Sequence, residues 1–388
     1  MAVEKKQVLT VRNIRNVNVE NILRSILRTG GMTRPILAKE NHISVMTVKH
    51  VVDDLIAGNV LVEKDYRNSD VGRNPKVLEL TGDYGNVVCV NLTSEDETSF
   101  LIYDIYENLL AEKSFAIDEN TGYADMMNTV IMEIQAELQR ISSRTVGIAV
   151  FVPSAYDAET DMVNYDLIPG FKDLHIRSLF EERFHVTNIL VLHDVFAAAR
   201  SEYDGLDAET ESQFYFYCGY GVGGFFIHKG EDIAGSENMA GEIGKMLVNM
   251  DGQESEHLVL EDVVSISAIK RQMKKKGITG HFSDLLREYE SGNEGAVQVM
   301  TVVMNTVSRV LYNMLWVYNP TRVVIDSCNQ NYSRMLTEAF TAFVEQMQND
   351  AIPIHAKVAQ ARYDEYHMMR GCFHMVRNAW VEEVAQKV

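Results

Sequence analysis

A short polar surface on a predicted helix near the N-terminus has the residue types that contact nucleic acid. The helix follows Ser44, and its apolar residues recur at helical spacing on one side. The other side carries hydroxyl, ammonium and imidazole groups, which donate hydrogen bonds to phosphates and base edges. The predicted DNA-binding residues are Ser44, Met46, Thr47, Lys49 and His50, with Arg73 and Lys76 in the segment that follows.

A second stretch of chemical interest is rich in glycine. Gly219-Tyr220-Gly221-Val222-Gly223-Gly224 precedes a predicted strand, and Ala240-Gly241-Glu242-Ile243-Gly244-Lys245 comes after it. Glycine-rich backbone loops can wrap phosphate groups because their N–H groups approach the oxygens closely. A glycine loop alone is weak evidence, so its meaning depends on the motifs that accompany it.

The first 82 residues, here called the head, contain the elements that would position the polar surface. The pattern predicts helices over about 13–28, over Arg34–Glu40 and from Ser44 to about Ala57, and strands over Val60–Glu63 and Val77–Leu80. Thr33 and Ser44 are the predicted N-caps of the second and third helices. Three helices followed by a β-hairpin predict a winged helix-turn-helix, whose third helix enters the major groove.

The charge of the chain is divided unevenly along its length. The net charge is −19, yet residues 1–82 hold 13 Lys and Arg against 9 Asp and Glu, which leaves 23 against 46 for the rest. A basic head is attracted to the phosphate backbone that an acidic body repels. The charge distribution therefore agrees with DNA binding by the head.

Predicted strands alternate with predicted helices after a linker at 81–86, which indicates an α/β architecture. The predicted strands are Val87–Leu92, Val146–Val152, Ile189–Leu192, Phe214–Cys218, Gly224–Ile227 and Arg322–Ile325, and the predicted helices lie at about 122–141, 258–275, 293–317 and 332–348. About 300 residues usually form two lobes.

Composition excludes several other classes of protein. Hydrophobic residues make up 46% of the chain, but none of their runs reaches the length of a membrane span, and the N-terminus has no apolar leader, so we expect a cytoplasmic protein. The four cysteines are scattered without a CxxC pair. We expect them to be buried small hydrophobes and not parts of disulfides or a zinc site.

Several motifs together resemble those of the ROK family (repressors, open reading frames and kinases). The two glycine motifs, the His193-Asp194 pair and the segment ending Pro169-Gly170-Phe171-Lys172-Asp173 fit the family template in order and spacing. The segments Asn21 to Arg34 and Gly72 to Pro75 look like those of the DNA-binding repressors of this family. The resemblance covers nearly the whole chain, and it adds Thr33 and Arg34 to the predicted DNA-binding residues.

The resemblance implies a two-lobed, actin-like (ribonuclease H-like) sugar kinase fold behind the winged helix-turn-helix. We expect a DNA-binding domain over 1–82 and a sugar kinase-like domain over 83–388. One lobe of the latter would comprise about 83–198 plus 372–388, and the other about 199–371. In the kinases of the family the sugar and ATP bind in the cleft.

The resemblance also implies that the sugar pocket is only half kept. Three carboxylates match sugar-binding positions, and each can accept from two vicinal hydroxyls. Elsewhere His193 stands where asparagine is usual, Asp166 or Leu167 where another is expected, and Ser154 replaces a glycine. Lys245 replaces the zinc-binding histidine and the cysteines after it are absent, so no metal is expected. The predicted ligand-binding residues are Ser154, Asp166, His193, Asp194, Glu242, Lys245 and Glu261.

Three departures from the family pattern affect phosphoryl transfer, which needs phosphate-wrapping loops and a carboxylate that helps to hold the metal. Asn91 occupies the position of the metal-facing aspartate, in a stretch without glycine. Tyr220 occupies the position of a threonine, and Asp326-Ser327 replaces a Gly-Gly pair on the adenosine side. We therefore expect no catalytic residues and no cofactor.

The sequence thus predicts a DNA-binding regulator of carbohydrate metabolism that responds to a sugar or sugar derivative. Repression is favoured over activation. A homodimer or tetramer would match an inverted-repeat operator. An anionic group on the ligand would suit Lys245. Two alternatives remain open: a sugar kinase with an unusual nucleotide site, and a DNA-binding scaffold that binds no ligand.

Overall fold

The computed structural model describes most of the chain, namely residues 11–65, 76–82, 84–93, 97–116, 123–152, 156–163, 174–203, 206–208, 210–236, 239–249, 258–348, 353–362 and 367–388. The chain divides into two compact units, Met1–Leu192 with Cys372–Val388, and His193–Gly371. Arg73, Ser154 and Asp166 lie outside the described residues, so the predictions made for them stay predictions.

The described residues form twelve α-helices and fourteen strands. The helices are α1 Val11–Thr29, α2 Arg34–Glu40, α3 Val45–Ala57, α4 Tyr123–Ile141, α5 Ile176–Phe184, α6 Asp194–Tyr203, α7 Leu260–Val264, α8 Ile266–Lys275, α9 Phe282–Glu290, α10 Glu294–Tyr318, α11 Gln330–Gln346 and α12 His367–Lys387. The strands are β1 Leu61–Asp65, β2 Lys76–Leu80, β3 Tyr84–Asn91, β4 Glu97–Asp104, β5 Leu109–Ala116, β6 Arg144–Val152, β7 Tyr156–Asp157, β8 Met162–Val163, β9 Ile189–His193, β10 Ser212–Cys218, β11 Val222–His228, β12 Glu231–Asp232, β13 Arg322–Asp326 and β14 Lys357–Gln360.

The head consists of three helices and a pair of antiparallel strands, as predicted. β1 pairs with β2 from Leu61–Leu80 to Asp65–Lys76, and Met32, between α1 and α2, adds an antiparallel bridge to Leu78. The core that holds these elements together is apolar and buried. It includes Ile22, Leu23 and Ile26 of α1, Leu37 of α2, Val48, Val52 and Leu55 of α3, and Leu78 of β2.

The two predicted helix caps in the head differ in outcome. The Ser44 hydroxyl accepts a hydrogen bond from the backbone N–H of Thr47 at 3.0 Å, which confirms Ser44 as the N-cap of α3. Thr33 occupies the N-cap position of α2, but its side chain makes no capping hydrogen bond there. The prediction of a side-chain cap at Thr33 is therefore wrong, and α2 begins with Pro35 in its first turn, where no N–H is needed.

The first unit contains a five-stranded mixed sheet in the order β5-β4-β3-β6-β9. β3 is antiparallel to β4 and parallel to β6. Helices α4 and α5 bury their apolar sides in the same core as the sheet, which includes Val88, Ile102, Ile131, Ile148 and Phe180. The predictions identified β3, β6 and β9 but missed β4 and β5, and β5 is an edge strand whose exposure alternates along its length.

The second unit contains another five-stranded mixed sheet, in the order β12-β11-β10-β13-β14. β10 is antiparallel to β11 and parallel to β13. The long helix α10 contributes a row of buried residues to the core beside this sheet, including Met300, Val303, Val307 and Leu311. The predicted helix at about 258–275 is divided at Ser265, whose extended backbone separates α7 from α8.

One prediction about the cysteines needs correction. Cys89, Cys218 and Cys372 are buried, whereas Cys328 is exposed. Cys328 follows β13 in the short connection to α11, where the chain has left the sheet, so it is not a core residue. None of the helices in the described ranges combines the length and hydrophobicity that crossing a bilayer requires.

Candidate DNA-binding and ligand-binding sites

The exposed side of α3 begins directly after its N-cap. Val45 and Met46 expose 57% and 61% of their surface, and Lys49 and His50 are exposed as well. In the major groove, apolar side chains contact thymine methyls. The start of α3 thus combines apolar, cationic and imidazole groups on one accessible surface.

Thr47 plays a different part from its neighbours. Its hydroxyl lies 2.9 Å from that of Ser44, and its backbone N–H donates to the same Ser44 oxygen. The side chain is only partly exposed. Ser44 and Thr47 therefore hold the first turn of α3 in place, and replacing Thr47 would alter the cap as well as the surface.

The predicted basic contacts differ in how far they are engaged within the head. Arg34 donates to Asp53 at 3.1 Å and forms an ion pair with Glu63, so it links α2 to α3 and β1. Lys76 pairs with Glu63 at 3.1 Å but is more exposed than Arg34. Both stay predictions as DNA contacts, and the double ion pair of Arg34 makes it the less available of the two.

Three accessible residues of the head were missed by the sequence reasoning. Val45 belongs to the exposed start of α3, and Ile36 and Lys39 are exposed on α2. Ile36 lies off the buried Leu37-Ala38 side of α2, and this offset is the signal that could have identified it.

The glycine-rich turn between β10 and β11 is closely packed. The N–H of Gly219 donates to the carbonyl of Gly221 at 2.9 Å, and the N–H of Ile266 donates to the carbonyl of Gly219 at 2.8 Å. A β-carbon on Gly219 would lie 2.5 Å from the hydroxyl of Tyr217. Tyr220 projects from the turn with 63% of its surface exposed. The Gly219 amide is thus already paired within the turn and is not open to a phosphate.

The His193-Asp194 pair lies where β9 passes into α6. One Asp194 oxygen accepts from the N–H of Val195 at 2.7 Å and lies 3.2 Å from Nε2 of His193. Both side chains are about one quarter exposed. Burial, followed by the nearby Cys328, Asp194 and Asp326, raises the pKa of Tyr217 well above its ordinary value. Asp194 thus keeps one polar edge accessible to a ligand and has a neutral phenol nearby.

The second glycine motif brings Glu242, Lys245 and Glu261 to the same end of β11. Lys245 lies at the end of a short 3-10 helix, Ile243–Lys245, and its ammonium lies 3.5 Å from a Glu261 oxygen. Glu242 is partly buried. Its carboxylate makes no hydrogen bond or ion pair with the described residues, whereas its backbone bonds to Met239 and Lys245. An unpaired, partly buried carboxylate is the kind of group that a bound hydroxyl would satisfy.

Close backbone packing joins these groups into one site. A β-carbon on Gly223 would lie 3.2 Å from Val195, next to Asp194, and one on Gly224 would lie 3.1 Å from Ile243, next to Glu242. A β-carbon on Gly244 would meet the Val222 carbonyl at 2.4 Å and Glu261 at 3.1 Å. Val195 and Ile243, which follow two of the carboxylates, and Gly244, which lies against Glu261, therefore all contact the first three residues of β11, so Asp194, Glu242 and Glu261 border the same strand end.

The loop after β13 has its hydrogen-bonding groups occupied internally. Asp326 accepts from the Tyr215 hydroxyl and from the N–H of Ser327 at 2.7 Å. Ser327 accepts from the N–H of Asn329, and Asn329 accepts from the N–H of Tyr332 as the N-cap of α11. A nucleotide approaching here would meet a carboxylate and a helix start whose amides are already paired.

The position of the missing metal-binding aspartate shows a similar local arrangement. The Asn91 side-chain oxygen accepts from the N–H of Thr93 at 3.1 Å and from its hydroxyl at 2.8 Å. A neutral amide oxygen that already has two donors is a poor ligand for Mg²⁺. Within the described ranges, no group of three or more histidine, cysteine or carboxylate residues is arranged to hold a metal ion.

The fold is α/β and of the type found in sugar kinases, and three helices and a hairpin precede it in the chain. Its structure is similar to that of a ROK family transcriptional regulator, a homologue of the E. coli MLC protein (TM-score 0.76, 16% identity, covering 96% of this chain and 98% of that one). It is also similar to the structure of the ROK hexokinase from Thermus thermophilus (TM-score 0.60, 20% identity). That match covers 74% of this chain and 96% of the hexokinase.

The chain belongs to the ROK family, whose model matches residues 88–379. Among curated proteins it is similar to the xylose repressor of Staphylococcus xylosus, with 21% identity over 326 residues that span 80% of this chain and 82% of the relative. It is equally similar to the DNA-binding transcriptional dual regulator NagC of Escherichia coli K12, with 21% identity over 395 residues that span 97% and 96% of the two chains.

Proposed function

We propose that this protein is a sugar-responsive transcriptional repressor in which the head is a winged helix-turn-helix. The observation that carries the proposal is the accessible start of α3, where Met46, Lys49 and His50 are open to solvent beside a formed N-cap. The hairpin β1–β2 follows α3 as the wing does in this class of domain. The names of the two curated relatives, a xylose repressor and a DNA-binding transcriptional dual regulator, support this assignment.

The ligand in this proposal is a sugar or sugar derivative that binds at the end of β11. Asp194, Glu242 and Glu261 would accept its hydroxyls, because carboxylates accept from adjacent hydroxyl groups with good geometry. His193 and Lys245 add one imidazole and one cation to the same surroundings. The ligand would change the affinity for DNA by a coupling that is typically about 1–3 kcal/mol, or roughly 5- to 150-fold.

We further propose that the protein does not transfer phosphoryl groups. The Gly219 amide is paired within its turn, and the Asn91 side-chain oxygen already accepts two hydrogen bonds, so neither is available to a phosphate or a metal ion. The Asp326 carboxylate would repel a phosphate that approached it. A homodimer in the cytoplasm, binding an inverted repeat through two heads, completes the proposal, since two-fold proteins recognise two-fold sites.

The DNA-binding proposal predicts that Lys49→Ala weakens specific binding to the DNA upstream of the gene by about tenfold, because a contact to a phosphate or base edge is lost. Gel retardation at several salt concentrations measures this loss, and a phosphate contact would also lower the salt slope by about one. The matched control is Lys274→Ala, which removes an exposed lysine from α8. Equal binding by the two variants would contradict the assignment of α3.

The ligand proposal predicts that a bound sugar raises the melting temperature and that Asp194→Asn and Glu242→Gln each weaken this effect, with an affinity loss of about tenfold or more. Xylose and N-acetylglucosamine are the first probes, and Glu231→Gln, on the exposed strand β12, is the control. A coupled assay with ATP should detect no turnover on either sugar. Sustained turnover that Asp194→Asn abolishes would favour a kinase instead.

A further inference from the structure

A cavity lies in the first unit, on the side of the sheet where β6 and β9 begin. It has a volume of about 340 Å³, at the small end of the range for ligand sites, which is roughly 300–1,000 Å³. The start of β6, the residues just before β9, the end of α5 and the last turns of α12 surround it. Its lining is Arg144, Thr145, Val146, Phe184, His185, Val186, Thr187, Asn188, Trp380, Glu383, Val384 and Lys387.

The cavity combines apolar walls with a cationic edge. Phe184, Trp380 and Val384 supply ring and aliphatic surface. The lining holds two cations, Arg144 and Lys387, against one carboxylate, Glu383, which pairs with Lys387, so its formal net charge is positive even when His185 is neutral. In a chain of net charge −19 this is a local reversal of sign. It favours a ligand with an anionic group on an apolar frame.

Helix α12 connects this cavity to the head. Trp380, Glu383, Val384 and Lys387 recur every three or four residues and therefore form one side of the helix. Asn378 and Glu382 lie on a different side and contact Arg24 of α1, whose guanidinium donates to Asn378 at 2.6 Å and lies 3.9 Å from Glu382. The terminal Val388 lies against the end of α3, since a β-carbon on Gly58 would be 3.7 Å from its methyl group.

We infer that this cavity is a second ligand site, separate from the sugar site, for a small molecule that carries a phosphate or carboxylate on a ring or short apolar chain. The anion binds at Arg144 and the apolar part packs against Trp380 and Phe184. Because α12 lines the cavity and contacts α1, and the residue after it lies beside the C-cap of α3, occupancy of the cavity alters the packing of the head. The binding step does not depend on the proposed function, whereas an effect on DNA would.

The placement of the tryptophans permits a direct test. The chain has two, Trp316 and Trp380, and Trp316 is half exposed on α10, so Trp316→Phe leaves Trp380 as the only indole. Phenyl phosphate is the probe, with benzyl alcohol and benzylamine as neutral and cationic controls of similar size. We expect phenyl phosphate to change the Trp380 fluorescence saturably and to bind more tightly than either control.

Charge variants then locate the binding site. In the same background, Arg144→Glu should weaken phenyl phosphate binding by at least about tenfold, because a charge-assisted contact is replaced by repulsion. Lys387→Gln should weaken it in the same direction. Arg140→Glu, the same change at an exposed position of α4, should have no effect. Identical responses to all three probes, or binding that is unchanged in Arg144→Glu, would overturn the site.

Hydrogen exchange tests the connection to the head without DNA. Saturating phenyl phosphate should slow amide exchange in α1 and α3 of the wild-type protein and leave both unchanged in Arg144→Glu. Saturable fluorescence without any change of exchange in the head would overturn the coupling through α12. Failure of the protein to bind DNA would affect neither measurement, so the two proposals can fail separately.

Discussion

Replacing Glu202 with alanine is expected to lower the free energy of unfolding by about 3–5 kcal/mol, since it leaves a partly buried guanidinium without its partner. The Glu202 side chain is 1% exposed and lies 3.6 Å from Arg322 and 3.3 Å from Arg362. It also accepts from the N–H of Arg362 at 2.6 Å. Burial lowers the pKa of Arg322, and the nearby charge of Glu202 opposes that effect. Urea unfolding measures the change.

Two further variants test the role of Glu202, one as a matched control and one as a rescue. Glu338→Ala removes an exposed glutamate that pairs with Arg334 on α11, and it should cost no more than about 1 kcal/mol. Adding Arg322→Met to Glu202→Ala should recover part of the loss, because the uncompensated charge is then gone. If Glu202→Ala and Glu338→Ala proved equally mild, the three-residue ion network would not be a stabilising element of the second unit.

Gly241→Ala is expected to cost at least about 3 kcal/mol and to abolish sugar binding, because its backbone has no room for a β-carbon. Its φ is +103°, and a β-carbon would lie 1.9 Å from the carbonyl oxygen of Gly224. That same pair of residues is joined by a hydrogen bond of 2.8 Å from Gly224 to Gly241. The turn that carries Glu242 would have to move away from β11. Thermal melting and sugar titration measure both effects.

A second glycine separates steric clash from backbone strain. Gly277 also has a positive φ, of +78°, but a β-carbon there would meet nothing within 4 Å. Gly277→Ala should therefore cost only the strain of the left-handed conformation, about 1–2 kcal/mol, and should leave sugar binding intact. Equal losses in the two variants would show that the close contact between Gly241 and β11 is not what holds the site.

Local sequence patterns predicted the head well because its signals are local. The apolar spacing of Val48, Val52 and Leu55 and the hydroxyl of Ser44 act within a few residues of one another, so α3 and its cap could be read directly. Thr33 shows the limit of this reasoning. Its residue type suits a cap, but whether the hydroxyl reaches an amide depends on the path of the chain into α2.

Edge strands and split helices were harder to predict. β5 alternates exposed and partly buried residues and is stabilised by its ladder with β4, a pairing that no local pattern contains. α12 reaches the first unit from the end of the chain, and the Asn188 amide fixes it there by donating to Val376 and to Val146 of β6. Contacts over such separations depend on tertiary packing, which sequence spacing does not report.

The sequence by itself determined the ROK motifs, the separation of basic head from acidic body, and the residue types at the sugar and phosphate positions, because each of these is a property of composition or short spacing. Only the tertiary structure decided which groups are accessible. It engages Arg34 in ion pairs, joins three carboxylate-bearing segments at β11, and places α12 between a cavity and the head. Accessibility and convergence follow from packing between residues far apart in the chain, and no single segment encodes them.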